Sequence, residues 1–233
     1  MAEHHKTERL LMIALDGPSA SGKSVVGSLL AQRLGYCFVD TGVMYRAVTW
    51  LALQRGIPLA DEEALTRLME ETSIQVVPLP GQNNHLCAIS IDNIDMTAVL
   101  RQPEVDRNVS LVSKVESVRR AMVRQQRRIA DGGGVIMAGR DIGTVVLPNA
   151  DLKVFLEASP EKRAERRYKE IAARGEDLTF DEVLADLKRR DQLDSERDLS
   201  PLRPAADARI INTDEMTVEQ VVDTVLAMVE EIK

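Results

Sequence analysis

Apolar residues in this chain follow two rhythms. Short continuous runs alternate with longer stretches in which they recur every three or four positions. The runs predict buried strands and the spaced stretches predict amphipathic helices. Leu10–Leu15 reads as a strand and Val25–Leu34 as the helix after it, stopped at Gly35. Tyr36–Val39 is a second strand, ending in Asp40-Thr41-Gly42, and Val43–Gln54 a second helix, halted by Gly56-Ile57-Pro58. Asp61–Glu71 is a short amphipathic helix. The texture then changes: Ile74–Val77 and Leu86–Ile91 read as short strands around a 78–84 loop, with a turn at Asp92-Asn93. Helices resume over 103–131. Val135–Ala138, Leu152–Leu156 and Ala208–Asn212 read as further strands. A helix opens at Ser159-Pro160-Glu161 and a last one covers Thr217–Ile232. The alternation predicts an α/β fold with helices on both faces of a parallel sheet of about five strands.

Between the first strand and its helix lies Gly17-Pro18-Ser19-Ala20-Ser21-Gly22-Lys23-Ser24, which fits G-x-x-x-x-G-K-[ST]. Glycines there let successive backbone N–H groups curl around phosphate oxygens, and the helix N-terminus adds partial positive charge. Lys23 is placed to reach the β- and γ-phosphates and the Ser24 hydroxyl to hold Mg²⁺. Gly17 to Val25 therefore form the expected ATP cradle in a P-loop NTPase three-layer fold.

The net charge of −7 argues against nucleic-acid binding, and clustered basic residues against that background need a small anionic ligand. No apolar run approaches the ~20 residues of a membrane span, and the polar N-terminus is no secretory signal, so a cytoplasmic protein is expected. Cys37 and Cys87 read as two reduced thiols. The domain plan has a tail at 1–9, a core over 10–40 and 132–233 with a lid at about 160–200, and a region over 41–131 that binds the acceptor and carries a small β-containing insertion at about 73–95.

Four clusters face the P-loop in this plan. They are Asp40-Thr41-Gly42 with Tyr45 and Arg46; Gly139-Arg140-Asp141 after a buried strand; Ser110 with Arg119; and Arg190 through Asp194 to Arg197. Charged residues at C-terminal strand ends occupy the usual ligand position of open α/β sheets. Their cations are arginines, whose guanidinium forks grip phosphate bidentately. A phosphoryl-transfer site needs such charge around its transition state and needs water excluded, which an Arg-rich mobile lid supplies. Arg163 and Arg167, with Arg166 and Arg174, belong to that lid and are candidates for the triphosphate. Aromatics make up only 3% of the chain, so adenine is expected to bind loosely, through lid arginines and the Pro204–Asp207 loop.

From about Ile13 onward the chain resembles the bacterial cytidylate kinases. The resemblance rests on Asp16 through Ser24, Asp40 through Arg46, Gln102-Pro103-Glu104-Val105, Val118-Arg119-Arg120, Gln125-Gln126-Arg127, Ala138 through Val146, Arg190 through Ser195, and Pro201-Leu202, in that order. It implies transfer of the γ-phosphoryl of ATP to CMP or dCMP with Mg²⁺; a monomer is expected. It further implies that Arg46, Arg140 and Arg197 hold the acceptor phosphate and that Ser110, Arg119 and Asp141 read cytosine. Arg190 and Asp194 would lie by the ribose, with Arg190 also near the transferring phosphoryl; Lys23, Arg140, Arg190 and Arg197 would be catalytic. Thr41, Ala20, Val25, Gln192-Leu193 and Asp198 depart from the commoner pattern, and Asp198 could compete for Arg197. Two other readings stay open: a P-loop kinase acting on UMP or a metabolite hydroxyl, with Asp40 or Asp141 as base, and a GTPase-like switch, for which the chain lacks N-K-x-D.

Overall fold

A computed structural model describes residues 9–72, 74–78, 87–91, 94–95, 102–175 and 177–233. The expected N-terminal tail, most of the 78–84 loop, Leu86 and the Asp92-Asn93 turn lie outside the described residues.

Five strands form one all-parallel sheet: β1 (Met12–Asp16), β2 (Cys37–Asp40), β6 (Val135–Gly139), β7 (Leu152–Glu157) and β8 (Arg209–Asn212), in the order β2-β6-β1-β7-β8. Their side chains alternate between two cores. On one face Ile13, Leu15, Ile136, Ala138, Val154 and Leu156 pack with Val26 and Leu30 of α1 (Lys23–Leu34) and with Val221, Val225 and Val229 of α8 (Val218–Glu230). On the other, Ala14, Val39, Val135 and Met137 pack with Met44 and Val48 of α2 (Thr41–Gln54), Val112 of α4 (Pro103–Val112) and Met122 of α5 (Glu116–Ala130). Near-continuous burial of β1, β6 and β7 follows from helices covering both faces.

Between α2 and α4 the chain also forms α3 (Glu62–Glu71) and a second, antiparallel sheet of β3 (Ile74–Pro78), β4 (Cys87–Ile91) and β5 (Ile94–Asp95). This sheet is the β-containing insertion. Cys37 is disulfide-bonded, which corrects the expectation of two reduced thiols. The chain has one other cysteine, Cys87. Its side chain lies outside those described, but the backbone of β4 approaches β2. Cysteine spacing along the chain carries no information about such an approach.

α6 (Pro160–Ala172) and α7 (Phe180–Ser195) pack against each other as a hairpin, and α7 also meets α4. Ser159 caps α6, and Thr179 with Glu182 forms a capping box on α7.

Parallel pairing brings the strand ends to one edge. Asp16 stands opposite Gly139, and Asp40 opposite Ala138. The chain leaving β6 does not enter an ordinary helix. It makes a π-turn over Ile142–Val146, with Val146 N–H donating to the Asp141 carbonyl at 3.1 Å and Leu147 N–H to that of Ile142 at 2.7 Å. Nothing in the apolar periodicity marks this turn. Its cap comes from β1: Asp16 Oδ1 accepts from Ile142 N–H at 2.8 Å and Oδ2 from Gly143 N–H at 2.7 Å. Gly139 permits the close fit, since a Cβ there would lie 2.6 Å from Ile142 Cδ1 and 2.7 Å from Thr41 Oγ1.

Burial pushes the Asp16 carboxyl up to about 6, partly opposed by the two N–H donors. A buried acid raised in this way adds stability while protonated and loses it as the pH rises through the folded value. Between its ordinary 3.8 and about 6, wild type should lose about 3 kcal/mol relative to Asp16→Asn, which cannot ionise. Urea melts of both proteins across this range check it, and parallel profiles would refute the assignment.

Candidate active site

One cavity of about 490 Å³ runs along the strand ends, and it collects residues from distant parts of the chain. On the P-loop side it is lined by Ser19, Ala20, Ser21, Gly22, Lys23, Ser24 and Val25. Asp40, Thr41, Gly42, Arg46, Gly139, Arg140, Arg167, Arg190 and Arg197 follow. Tyr45, Ser110, Arg119, Asp141 and Asp194 complete the wall toward α4 and α5. Gly17 and Pro18 sit just behind the lining.

The P-loop geometry follows from its residues. Gly22 takes a left-handed φ of 97° at the N-terminus of α1. Lys23 is buried, and its Nζ donates to the carbonyls of Gly17 at 2.8 Å and Pro18 at 2.6 Å and lies 3.2 Å from Ser21 Oγ. Burial, then the neighbouring Arg140 charge, hold its ammonium well below the ordinary lysine range. An arriving polyphosphate would offset both costs. The Ser24 hydroxyl donates to Asp40 Oδ2 at 2.7 Å, while Asp40 Oδ1 accepts from Gly42 N–H. A hydroxyl and a carboxylate facing each other at a phosphate-binding loop are hard oxygen donors suited to Mg²⁺. Among the described residues no group of three or more His, Cys, Asp or Glu could hold a metal by itself. A cation at Ser24 and Asp40 would therefore complete its shell with phosphate and water.

The arginines are held by one edge each. Arg140 Nε donates to Asp194 Oδ2 at 2.9 Å, and Arg46 Nε to Asp106 Oδ1 at 2.9 Å. In both, the Nε position is occupied by a carboxylate; Arg140 Nη1 also donates to the Gly139 carbonyl at 3.5 Å, and the remaining Nη groups are the part available for an anion. Arg197 donates to the carbonyls of Asp194 and Ser200 and does not turn to Asp198. Burial, then the charges of Arg46 and Arg140, hold Arg190 below the ordinary guanidinium range. Burial would raise Asp194, but Arg140 and Arg197 hold its carboxyl below the usual range. This concentration of cation in a partly dry cleft is a site for a multiply charged anion.

Arg119 and Asp141 form a buried ion pair at the far wall. Arg119 Nη2 donates to Asp141 Oδ2 and Nη1 to the Ser113 carbonyl, with the guanidinium 5.6 Å from the Tyr45 ring centroid. Arg119 Nε is buried without a hydrogen-bond partner. Burial pushes the Tyr45 hydroxyl up to about 12, so it stays protonated. The result is a planar donor–acceptor edge in a low-dielectric pocket, suited to reading a flat polar group.

The arginines of α6 divide. Arg167 lines the cavity, donating to Glu170 Oε2 and Asp106 Oδ2. Arg163 does not line it. Arg163 is buried, donating to the carbonyls of Ala158 and Ser19 and bidentately to Asp191 at 3.1 and 2.6 Å, beside a second cavity behind the P-loop. Its fork is committed to bracing the P-loop against α7. Arg166 lines the P-loop side of the main cavity with Thr213, Met216, Val218 and Val221. These residues line the same cavity as Val25, and none of Pro204–Asp207 does. Asp207 is turned to Lys153 at 2.8 Å, and Pro204 lines the second cavity. Asp16, Asp106, Met216 and Val218 were not singled out as site residues from the sequence. Only Asp16 had a signal, a lone acid ending an apolar strand.

Comparison with known proteins agrees with this geometry. The family description "Cytidylate kinase" matches residues 13–231. A cytidylate kinase of Bacillus subtilis (strain 168) is 44% identical over 225 residues, covering 96% of this chain and 98% of the relative. One from Geobacillus kaustophilus (strain HTA426) is 47% identical over 224 residues, with 96% and 98% covered. A solved structure of an uncharacterized protein from Eubacterium ventriosum ATCC 27560 shares the fold, with a TM-score of 0.51 at 12% identity over 95% of this chain and 99% of that one. With its full core matched and its P-loop, arginine cleft and buried Arg119–Asp141 pair in one cavity, this chain belongs to the cytidylate kinase family.

Proposed function

We propose that this protein transfers the γ-phosphoryl of ATP to CMP or dCMP, giving ADP and the nucleoside diphosphate. The observation that carries the reading is the single cavity joining the P-loop to the arginine cleft and to the buried Arg119–Asp141 pair. Gly17 through Val25 cradle the triphosphate, with Lys23 released from its loop carbonyls to the phosphates. Adenine lies along Val25, Met216 and Val218 beside Arg166. Ser24 and Asp40 would hold Mg²⁺, which would supply charge neutralisation for the phosphates.

Arg46, Arg140 and Arg197 hold the acceptor phosphate, and Arg190 stands over the cleft between the nucleotides. A phosphate monoester is already largely ionised near neutral pH, with its second pKa near ~6, so the acceptor needs no general base. Catalysis then rests on alignment and on arginine charge where the transition state is anionic. The α6–α7 hairpin closes over the site and keeps water from the γ-phosphoryl.

Ser110, Arg119 and Asp141 read the base. Cytosine offers an N4–H₂ donor, and Asp141 is an acceptor with one oxygen already fixed by Arg119. Uracil presents O4 there, acceptor against acceptor. We further infer a monomer that needs no nucleic acid, the net charge of −7 being unsuited to that partner. Its place is the cytoplasm, where both nucleotides are found. No helix among the described residues is long and apolar enough to cross a membrane.

Three outcomes are expected. ADP release from Mg·ATP should be strong with CMP and dCMP, and at least about tenfold weaker with UMP, in kcat/KM. No turnover with any nucleoside monophosphate, while ATP still binds, would overturn the acceptor. Asp141→Asn should shrink the CMP-to-UMP preference by about tenfold, and an unchanged ratio removes Asp141 from base reading. Lys23→Ala should lower kcat by at least about a hundredfold with the melting temperature nearly kept; retained kcat would contradict the P-loop assignment.

A further inference from the structure

Asp106 lies on α4 outside the cavity lining, yet it touches two of the arginines that line it. Oδ1 accepts from Arg46 Nε on α2 at 2.9 Å, and Oδ2 accepts from Arg167 Nη2 on α6 at 3.1 Å. The carboxylate is half-buried, as are both arginines. Burial acts to raise its pKa, but Arg46, Arg167 and Arg190 outweigh it and hold the carboxyl below the usual range. A single side chain thus bridges the acceptor-side helices and the lid hairpin.

The geometry has a direct consequence for Arg46. A guanidinium on a long side chain samples many orientations, and fixing one through Nε aims the two Nη groups in a set direction. That aim is toward the cleft shared with Arg140 and Arg190. Because the second oxygen holds Arg167, the orientation of Arg46 is tied to the placement of α6. An anion on Arg46 and closure of the lid would then favour the same arrangement.

We propose that Asp106 is a positioning residue that aims Arg46 at the acceptor phosphate and links its occupancy to the lid through Arg167. The inference rests on the reading of Arg46 as a ligand of that phosphate. It assigns no contact between Asp106 and either nucleotide.

The test is calorimetric titration of CMP into the full-length protein, alone and with a non-hydrolysable Mg·ATP analogue, alongside steady-state kinetics and melting curves. Asp106→Asn should weaken CMP by about tenfold and raise its KM to match, with kcat changed by less than about threefold. The loss should largely vanish in the Arg46→Met background, and Asp106→Glu should recover most of the affinity. Any tightening of CMP by the ATP analogue should shrink equally in Asp106→Asn and Arg167→Met, and no further in the double variant. An Asp106→Asn protein with unchanged CMP affinity, or a loss that persists in full without Arg46, would overturn the proposal. If Asp106→Asn fails to fold, Arg167→Met tests the lid link from its other partner, and unchanged coupling there overturns it. Arg46→Met with undiminished CMP binding would instead sink the reading of the acceptor site itself, a result independent of any Asp106 variant.

Discussion

The dominant constraint on this structure is the crowding of like charge in one cleft. Arg46, Arg140, Arg190 and Arg197 line the same cavity. Such a cluster repels itself strongly where water is scarce, and it can persist only if carboxylates stand close by. Asp106 and Asp194 supply that compensation from behind, pairing at Nε of Arg46 and Arg140. Compensation from that side leaves the tip of Arg46 and Nη2 of Arg140 available. A carboxylate at the tips would have stabilised the empty protein and competed with the substrate.

A second constraint acts on the backbone. Arg140 and Asp141 must point into the cleft from the end of β6, yet the chain has to turn away at once to reach β7. The π-turn does this and needs an acceptor for its first N–H groups. Asp16 provides it from the neighbouring strand, at the cost of burying a carboxylate. The same short stretch, Leu15 to Gly17, therefore ends a strand, caps the π-turn and begins the phosphate loop. A change at Asp16 reaches both nucleotide subsites without touching either.

Much of the architecture was legible in the chain. The strand–loop–helix at Leu10 to Leu34, the alternation of strands and helices, and the small β insertion all appear in the structure close to where periodicity put them. The strand ends carrying Asp40 and Gly139-Arg140-Asp141 do meet the P-loop, because parallel strands deliver their C-terminal ends to one edge. Arg163 shows the limit. Its residue type and lid location suit a phosphate ligand, and only the folded chain reveals that all its reach is spent on Ser19, Ala158 and Asp191.

What the sequence determined by itself is local: which segments are strand or helix, where the backbone can curl around phosphate, and which side chains are able to grip an anion. These properties depend on neighbours a few residues apart, so periodicity and motif spacing record them. The tertiary structure decided the pairings. Arg46 and Asp106 are 60 residues apart, Arg140 and Asp194 54, and Asp16 and Ile142 126. It also decided that Cys37 is oxidised, that the π-turn exists, and that Met216 and Val218 border the space beside the P-loop. Each depends on which elements pack together, a property of the whole core that no stretch of the chain encodes alone.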